Sequence, residues 1–177
     1  MEKVEGAGLN VVSDSLRPSL NITSGLTKTL AMDPKVARLK TPEDCESFAK
    51  NVEAKYPALA QEARRQAVEL RAIAHNARTA AEREALRAIY AYEEVLSHKN
   101  GRKTKASRTW QMIDRHGIIE AVDRAVSRRE ETAGYTALLE MGMQDFAFEM
   151  VVLRHPELFR SETVARAKNR VAEWNKP

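Results

Sequence analysis

PALAQEARRQAVELRAIAHNARTAAEREALRAIYAYEEVLSH, residues 57–98, carries the periodicity that decides the fold. Proline at position 57 suits the first turn of a helix, where its missing N–H is no loss. Leu59, Ala63, Ala67, Leu70 and Ala74 then recur along one helical face, with Glu62, Arg65 and Glu69 around the other. Thr79 is a natural cap for a second helix, whose apolar stripe runs through Ala85, Ile89, Tyr92 and Leu96. Only a short link at residues 75–78 separates the two, which favours an antiparallel hairpin.

Upstream, Thr41-Pro42-Glu43-Asp44 reads as a helix start, with a capping hydroxyl, a tolerated proline and two acids at the positive end of the helix dipole. Cys45, Phe48, Ala49 and Val52 follow at i, i+3, i+4 and i+7, one buried stripe. Residues 1–40 are rich in Ser, Thr, Asn and Gly and lack a sustained period, so they are expected to form a mobile or loosely docked arm, with a short docked helix near residues 15–30 as the exception.

Downstream, Asn100-Gly101 breaks the pattern, and residues 99–108 form a loop dense in cations. The remainder, 109–177, divides into short helices. Ser107 is the expected cap of the first, which carries Trp110, Met112 and Ile113 and stops at Gly117. Ile118, Ile119, Val122 and Val126 mark the next. Thr132 opens another through Tyr135, Leu138 and Leu139, stopped near Gly142. Residues 144–154 are apolar almost all round and are expected at the centre of this half, ended by Pro156. Ser161-Glu162 starts the last helix. Gly and Pro number only 7 and 6, and no stretch alternates long enough to require a strand. The expected fold is all-α: a long antiparallel helical hairpin joined by a basic loop to a compact cluster of short helices, in a single helical domain over residues 41–177.

The net charge is +4 and the pI near 9.3, but the surplus is uneven. Residues 41–98 hold 8 basic and 10 acidic groups, whereas residues 99–130 hold 9 and 4, a local net of +5. Such a concentration is the footprint of a polyanion-facing surface. Arg102, Lys103, Lys105 and Arg108 lie close together in sequence and would displace counterions from phosphates. Trp110, just beyond them, is a candidate to stack on an unpaired base, and Arg128 and Arg129 are peripheral contributors. The expected partner is nucleic acid, DNA or RNA, contacted through its backbone.

Residues 109–127 also scan as a helix–turn–helix around Gly117. Against it stand Ile113 where close approach wants a small residue, and Glu120 and Asp123 on the reading helix; two packed short helices account for the same pattern. Glu94 and His98, four apart, share a helical face and are the one candidate metal pair, with His116 as a possible third group. A surface pair near a helix end, helped by the dipole, is the commoner meaning of that spacing. Cys45, on an inward face, is expected to be an inert thiol, and His155 a helix-end residue bonded to the last carbonyls. Tyr135, Met141, Met143, Phe146 and Phe148 read as core, or, if exposed, as a docking patch or dimer seam.

No glycine loop for phosphates, dinucleotide fingerprint or paired-cysteine motif occurs, so no cofactor is expected. One cysteine, an amino terminus without an apolar signal core and an apolar maximum of residues 146–153 point to a cytoplasmic protein without membrane association. The sequence reading is therefore a non-enzymatic, largely sequence-tolerant nucleic-acid-binding domain. A helical adaptor docking another protein is the alternative, and a metal-dependent enzyme around Glu94 and His98 the third.

Overall fold

A computed structural model describes residues 32–128 and 134–174, all within one unit that begins at Met32. Among them are nine α-helices, two single-turn 3₁₀ segments and no strand. The helices are α1 (Pro34–Ala37), α2 (Pro42–Val52), α3 (Pro57–Ala74), α4 (Ala80–Asn100), α5 (Ser107–His116), α6 (Ile118–Val126), α7 (Gly134–Glu140), α8 (Phe148–Arg154) and α9 (Ser161–Trp174). An all-α fold follows, as the composition indicates.

Local chemistry sets the helix starts. Thr41 Oγ1 accepts from the Asp44 amide at 3.1 Å, with Pro42 in the first turn. Thr79 Oγ1 accepts from the Glu82 amide at 3.1 Å, and the Glu82 carboxylate accepts from the Arg78 amide at 2.7 Å. Each satisfies amides that the first turn leaves without partners. Gly101 closes α4 in the left-handed region at φ 63°.

α3 and α4 are joined by residues 75–79 and pack along their length, with ion pairs from Arg87 to Glu69 (2.5 Å) and from Arg64 to Glu94 (3.8 Å). Small side chains serve both helices' contacts: Val68 of α3 packs with Ala91 and Val95 of α4 and Ala72 with Leu86 and Ile89, while Ala63 faces α1 and α2, and Ala85 and Ala88 face α6, α8 and α9. Leu86 and Ile89 fill the space beside them, each fully buried and worth about 1.5–3 kcal/mol of transfer free energy. The buried face of α3 differs from the expected stripe. Arg64, Val68 and Ala72 are buried, Leu59 and Leu70 are half-buried, and Ala74 is exposed. The cause is that α3 packs against α2 on one side and α4 on the other, so more than one stripe is covered.

The folded unit also starts earlier than residue 41. Asp33 caps α1 through the Lys35 amide at 2.8 Å, its own amide donates to Glu62 Oε1 at 2.6 Å, and Val36 is fully buried with Ala49, Ala60 and Ala63. The rest of the expected arm, residues 1–31, and the Thr132 helix start lie outside the described residues.

α8 sits at the centre of the second half, with Val151 and Val152 buried between α4, α6 and α9. Met143 is fully buried and Met141, Tyr135 and Phe146 pack on the same cluster, so these residues form core and no exposed methionine patch.

Candidate nucleic-acid interface

The basic segment leaves α4 at Gly101 and is held down at every second residue or so. Thr104 donates its amide to Ser97 Oγ at 2.9 Å and its hydroxyl to the Arg102 carbonyl at 2.9 Å. Asn100 Nδ2 donates to Thr104 Oγ1 at 3.2 Å. One oxygen of buried Glu93 then accepts both the Ala106 amide at 2.9 Å and the Trp110 indole N–H at 2.6 Å. α5 consequently begins at Ser107 with Ala106 before it, and no side chain caps it; the expected Ser107 cap is not formed.

These bonds settle where Trp110 goes. Its ring stacks on His75 (centroids 5.1 Å apart, planes 23° apart) and touches Tyr90 at 5.5 Å. The ring contacts and the indole donor engage His75 at the end of α3 and Tyr90 and Glu93 of α4, so Trp110 fastens α5 to both helices.

The cations of the run divide into two groups. Arg102 and Lys103 border a 260 Å³ hollow against α2, α3 and α4, where Lys103 Nζ lies 3.8 Å from Glu43, both well exposed. Such an exposed pair contributes little. Arg108 turns instead toward the α5–α6 side, and Lys105 lines the cavity next to it. On the α5–α6 side Arg108, Arg115, His116, Arg124 and Arg128 line a cleft of about 450 Å³. All five are exposed. Arg124 pairs with Glu120 at 2.7 Å, whereas within the described residues Lys105, Arg108, Arg115 and Arg128 make no ion pair. Arg129 lies outside the described residues.

Sequence reasoning thus named Arg108 and Arg128 and missed Arg115 and Arg124. Their spacing carries the signal: Arg108 and Arg115 are seven apart, two helical turns on one face, and Arg124 and Arg128 are four apart.

α5 and α6 are joined through Gly117 alone, at φ 81°. A helix–turn–helix uses a turn of three or four residues and leaves its second helix free for the groove. Here α6 is buried through Ala121, Val122, Asp123 and Val126 against α4, α8 and α9. Asp123 also accepts from the Arg160 amide at 3.2 Å and its Nε at 2.6 Å. The geometry fits two packed short helices, the reading set against the helix–turn–helix on the residues alone. Burial pushes the Asp123 carboxyl up, but hydrogen bonds from Arg160 and Thr163 outweigh it and hold the group below the ordinary carboxylate range.

Glu94 and His98 do not converge on a shared point. Glu94 faces Arg71 at 3.4 Å and Arg64 at 3.8 Å, while His98 Nε2 lies 3.3 Å from Glu53. Arg64 reaches Glu53 at 2.8 Å, and Arg71 also pairs with Glu46. His116 belongs to the basic cleft on the other side of the segment. Among the described residues no group of three or more His, Cys, Asp or Glu side chains is placed to hold a metal ion. The pair belongs to a network of ions that ties α2, α3 and α4 together. Burial raises the Glu53 carboxyl, but Arg64 and then His98 pull it below its ordinary range.

Cys45 is fully buried, and burial followed by the Asp44 charge raises its thiol pKa, which leaves it unreactive. His155 pairs with Glu84 at 3.4 Å, in place of the expected helix-end carbonyls; Arg154 reaches the same carboxylate at 2.6 Å. No helix among the described residues is long and apolar enough to cross a membrane. No protein-family model, curated protein or solved structure matches this chain.

Proposed function

We propose that this chain is a non-enzymatic, sequence-tolerant nucleic-acid-binding domain whose contact surface is the α5–α6 cleft together with Lys105. The observation that supports it is the gathering of Arg108, Arg115, Arg124 and Arg128 around one concave surface, three of them without a carboxylate partner within the described residues. Guanidinium groups match phosphate oxygens in two-pronged geometry, and their release of condensed counterions supplies affinity independent of sequence. Sequence tolerance follows from this, because phosphate contacts carry no base information. Arg102 and Lys103 contribute only long-range attraction in this reading, since they border the hollow against α2, α3 and α4 and do not line the cleft.

The docking alternative drew on Tyr135, Met141, Met143, Phe146 and Phe148, of which Met143 is fully buried and the other four are partly buried. The test is binding to a random duplex and a single strand across salt concentrations. With three or four phosphates neutralised, log Kobs against log salt on duplex has a slope of about −3 to −4. Replacing Arg108, Arg115 and Arg128 together by Ala flattens it while helical content is retained. A wild-type chain whose binding does not respond to salt refutes the reading.

A further inference from the structure

A second cavity lies beside the basic cleft, bounded by α4, α5, α6, α7 and α8, with a volume of about 430 Å³. That is within the range of ligand pockets. The two spaces share a wall: Arg108, Met112 and Arg128 line both. The further cavity is aromatic, with Tyr92, Tyr135, Phe146 and Phe148 around it. Tyr135 is already stacked on Trp174, which fixes one wall. The one acid among the described lining residues, Glu149, pairs with Arg170 at 2.9 Å. The hydroxyls of Ser107 and Thr109 also line it, and within the described residues neither has a hydrogen-bond partner.

We infer that the nucleic acid held at the basic cleft is single-stranded, and that one of its bases enters this neighbouring aromatic cavity while its flanking phosphates lie on Arg108 and Arg128. The inference rests on the polyanion reading and adds the strand class to it. Three features carry it. The cations and the aromatic walls meet at the same residues, so a backbone on one places a base at the mouth of the other. Aromatic faces stack on any base without reading it, which agrees with a surface built for phosphates. Free hydroxyls at the rim supply partners for the polar edge of a base, which would otherwise lose its bonds to water. A duplex reaches the cavity only by unstacking and unpairing a base, at a cost of a few kcal/mol that a single strand does not incur.

The test measures fluorescence anisotropy across a series of salt concentrations with three labelled probes of equal length: a thymidine strand, an abasic strand with the same phosphates, and a random duplex. The thymidine strand is expected to bind the wild-type chain at least about fivefold more tightly than the abasic strand, the size of one base–aromatic stack. It is also expected to bind more tightly than the duplex. Ala125 lines the cavity and not the basic cleft, so Ala125→Leu narrows the cavity and lowers the preference for the thymidine over the abasic strand with the salt slope kept. Tyr92→Leu removes a stacking wall and is the second variant. Equal affinity for thymidine and abasic strands on the wild-type chain, or a duplex bound as well as the thymidine strand, overturns the inference and leaves the polyanion reading standing. Absence of salt-dependent binding to every probe removes both. The strand comparison uses the wild-type chain and decides even if a variant does not fold.

Discussion

Glu93 stands where the long hairpin meets the basic segment, and one of its oxygens receives both the Ala106 amide and the Trp110 indole. That arrangement turns a residue read as a stacking platform into a structural bolt. Trp110→Phe removes the indole donor and keeps most of the ring packing, so it is expected to lower stability by about 1.5–3 kcal/mol, the range for a hydrogen bond to a charged group. Urea unfolding measures this, and the salt slope of nucleic-acid binding should not change. A Trp110→Phe protein with wild-type stability and weakened binding would return the ring to the interface. The role was not legible in the sequence because it depends on an acceptor 17 residues away in another helix. Asp123 gives a pH prediction at the same scale. Its pKa is held below 3.8 in the fold, chiefly by Arg160 acting against burial. A depressed carboxylate stabilises the fold fully above its ordinary value, and that stabilisation is lost as pH falls through the lowered one. The melting temperature of the wild-type chain should therefore fall as pH drops below about 3.8. Asp123→Asn should melt lower at pH 7 and lose less on acidification, so the two curves converge in acid.

Among the elements, the helix starts with a hydroxyl and an acid three residues on were readable because their chemistry is local: Thr41 with Asp44 and Thr79 with Glu82 both form as the sequence indicates. Ser107 failed as a cap for a non-local reason, since Glu93 draws the Ala106 amide and shifts the helix start by one residue. The face of α3 was half-legible. Alanines at helical spacing mark a seam, but a helix covered on two sides buries Arg64 as well, supported by Glu53 and Glu94. Two glycines separate backbone strain from packing. Gly101 and Gly142 both lie in the left-handed region, at φ 63° and 61°. A Cβ on Gly101 meets nothing within 4 Å, so Gly101→Ala should cost only the conformational term, about 1 kcal/mol. A Cβ on Gly142 would meet Gln61 Nε2, which donates to the Met141 carbonyl at 3.1 Å and the Gly142 carbonyl at 2.9 Å. Moving Gln61 forfeits those bonds, each worth about 1 kcal/mol. Gly142→Ala should therefore unfold at clearly lower urea than Gly101→Ala. Equal midpoints would mean that the Gln61 bonds contribute nothing.

For the whole molecule the sequence located the charge and not its facing. A surplus over residues 99–130 was visible by counting, but α4 ends at Gly101 in a way that sends Arg102 and Lys103 toward the ion-pair network of α2, α3 and α4, and Arg108 toward α6. Net charge and geometry are separable, because two pairs of substitutions remove the same two charges. Arg102→Ala with Lys103→Ala, and Arg108→Ala with Arg128→Ala, each lower the net charge from +4 to +2. If binding followed net charge alone, both pairs would weaken it equally at every ionic strength. Charges more than about 10 Å from a phosphate are screened at 0.1 M salt, so only cations in contact leave a mark on the salt slope. The cleft pair should reduce the slope on duplex by about 1.8, two phosphates at about 0.9 each, and the loop pair by less than half of that. Equal reductions from the two pairs would show that the charged surface acts as a diffuse field, and the α5–α6 cleft would then have no special claim as the contact site.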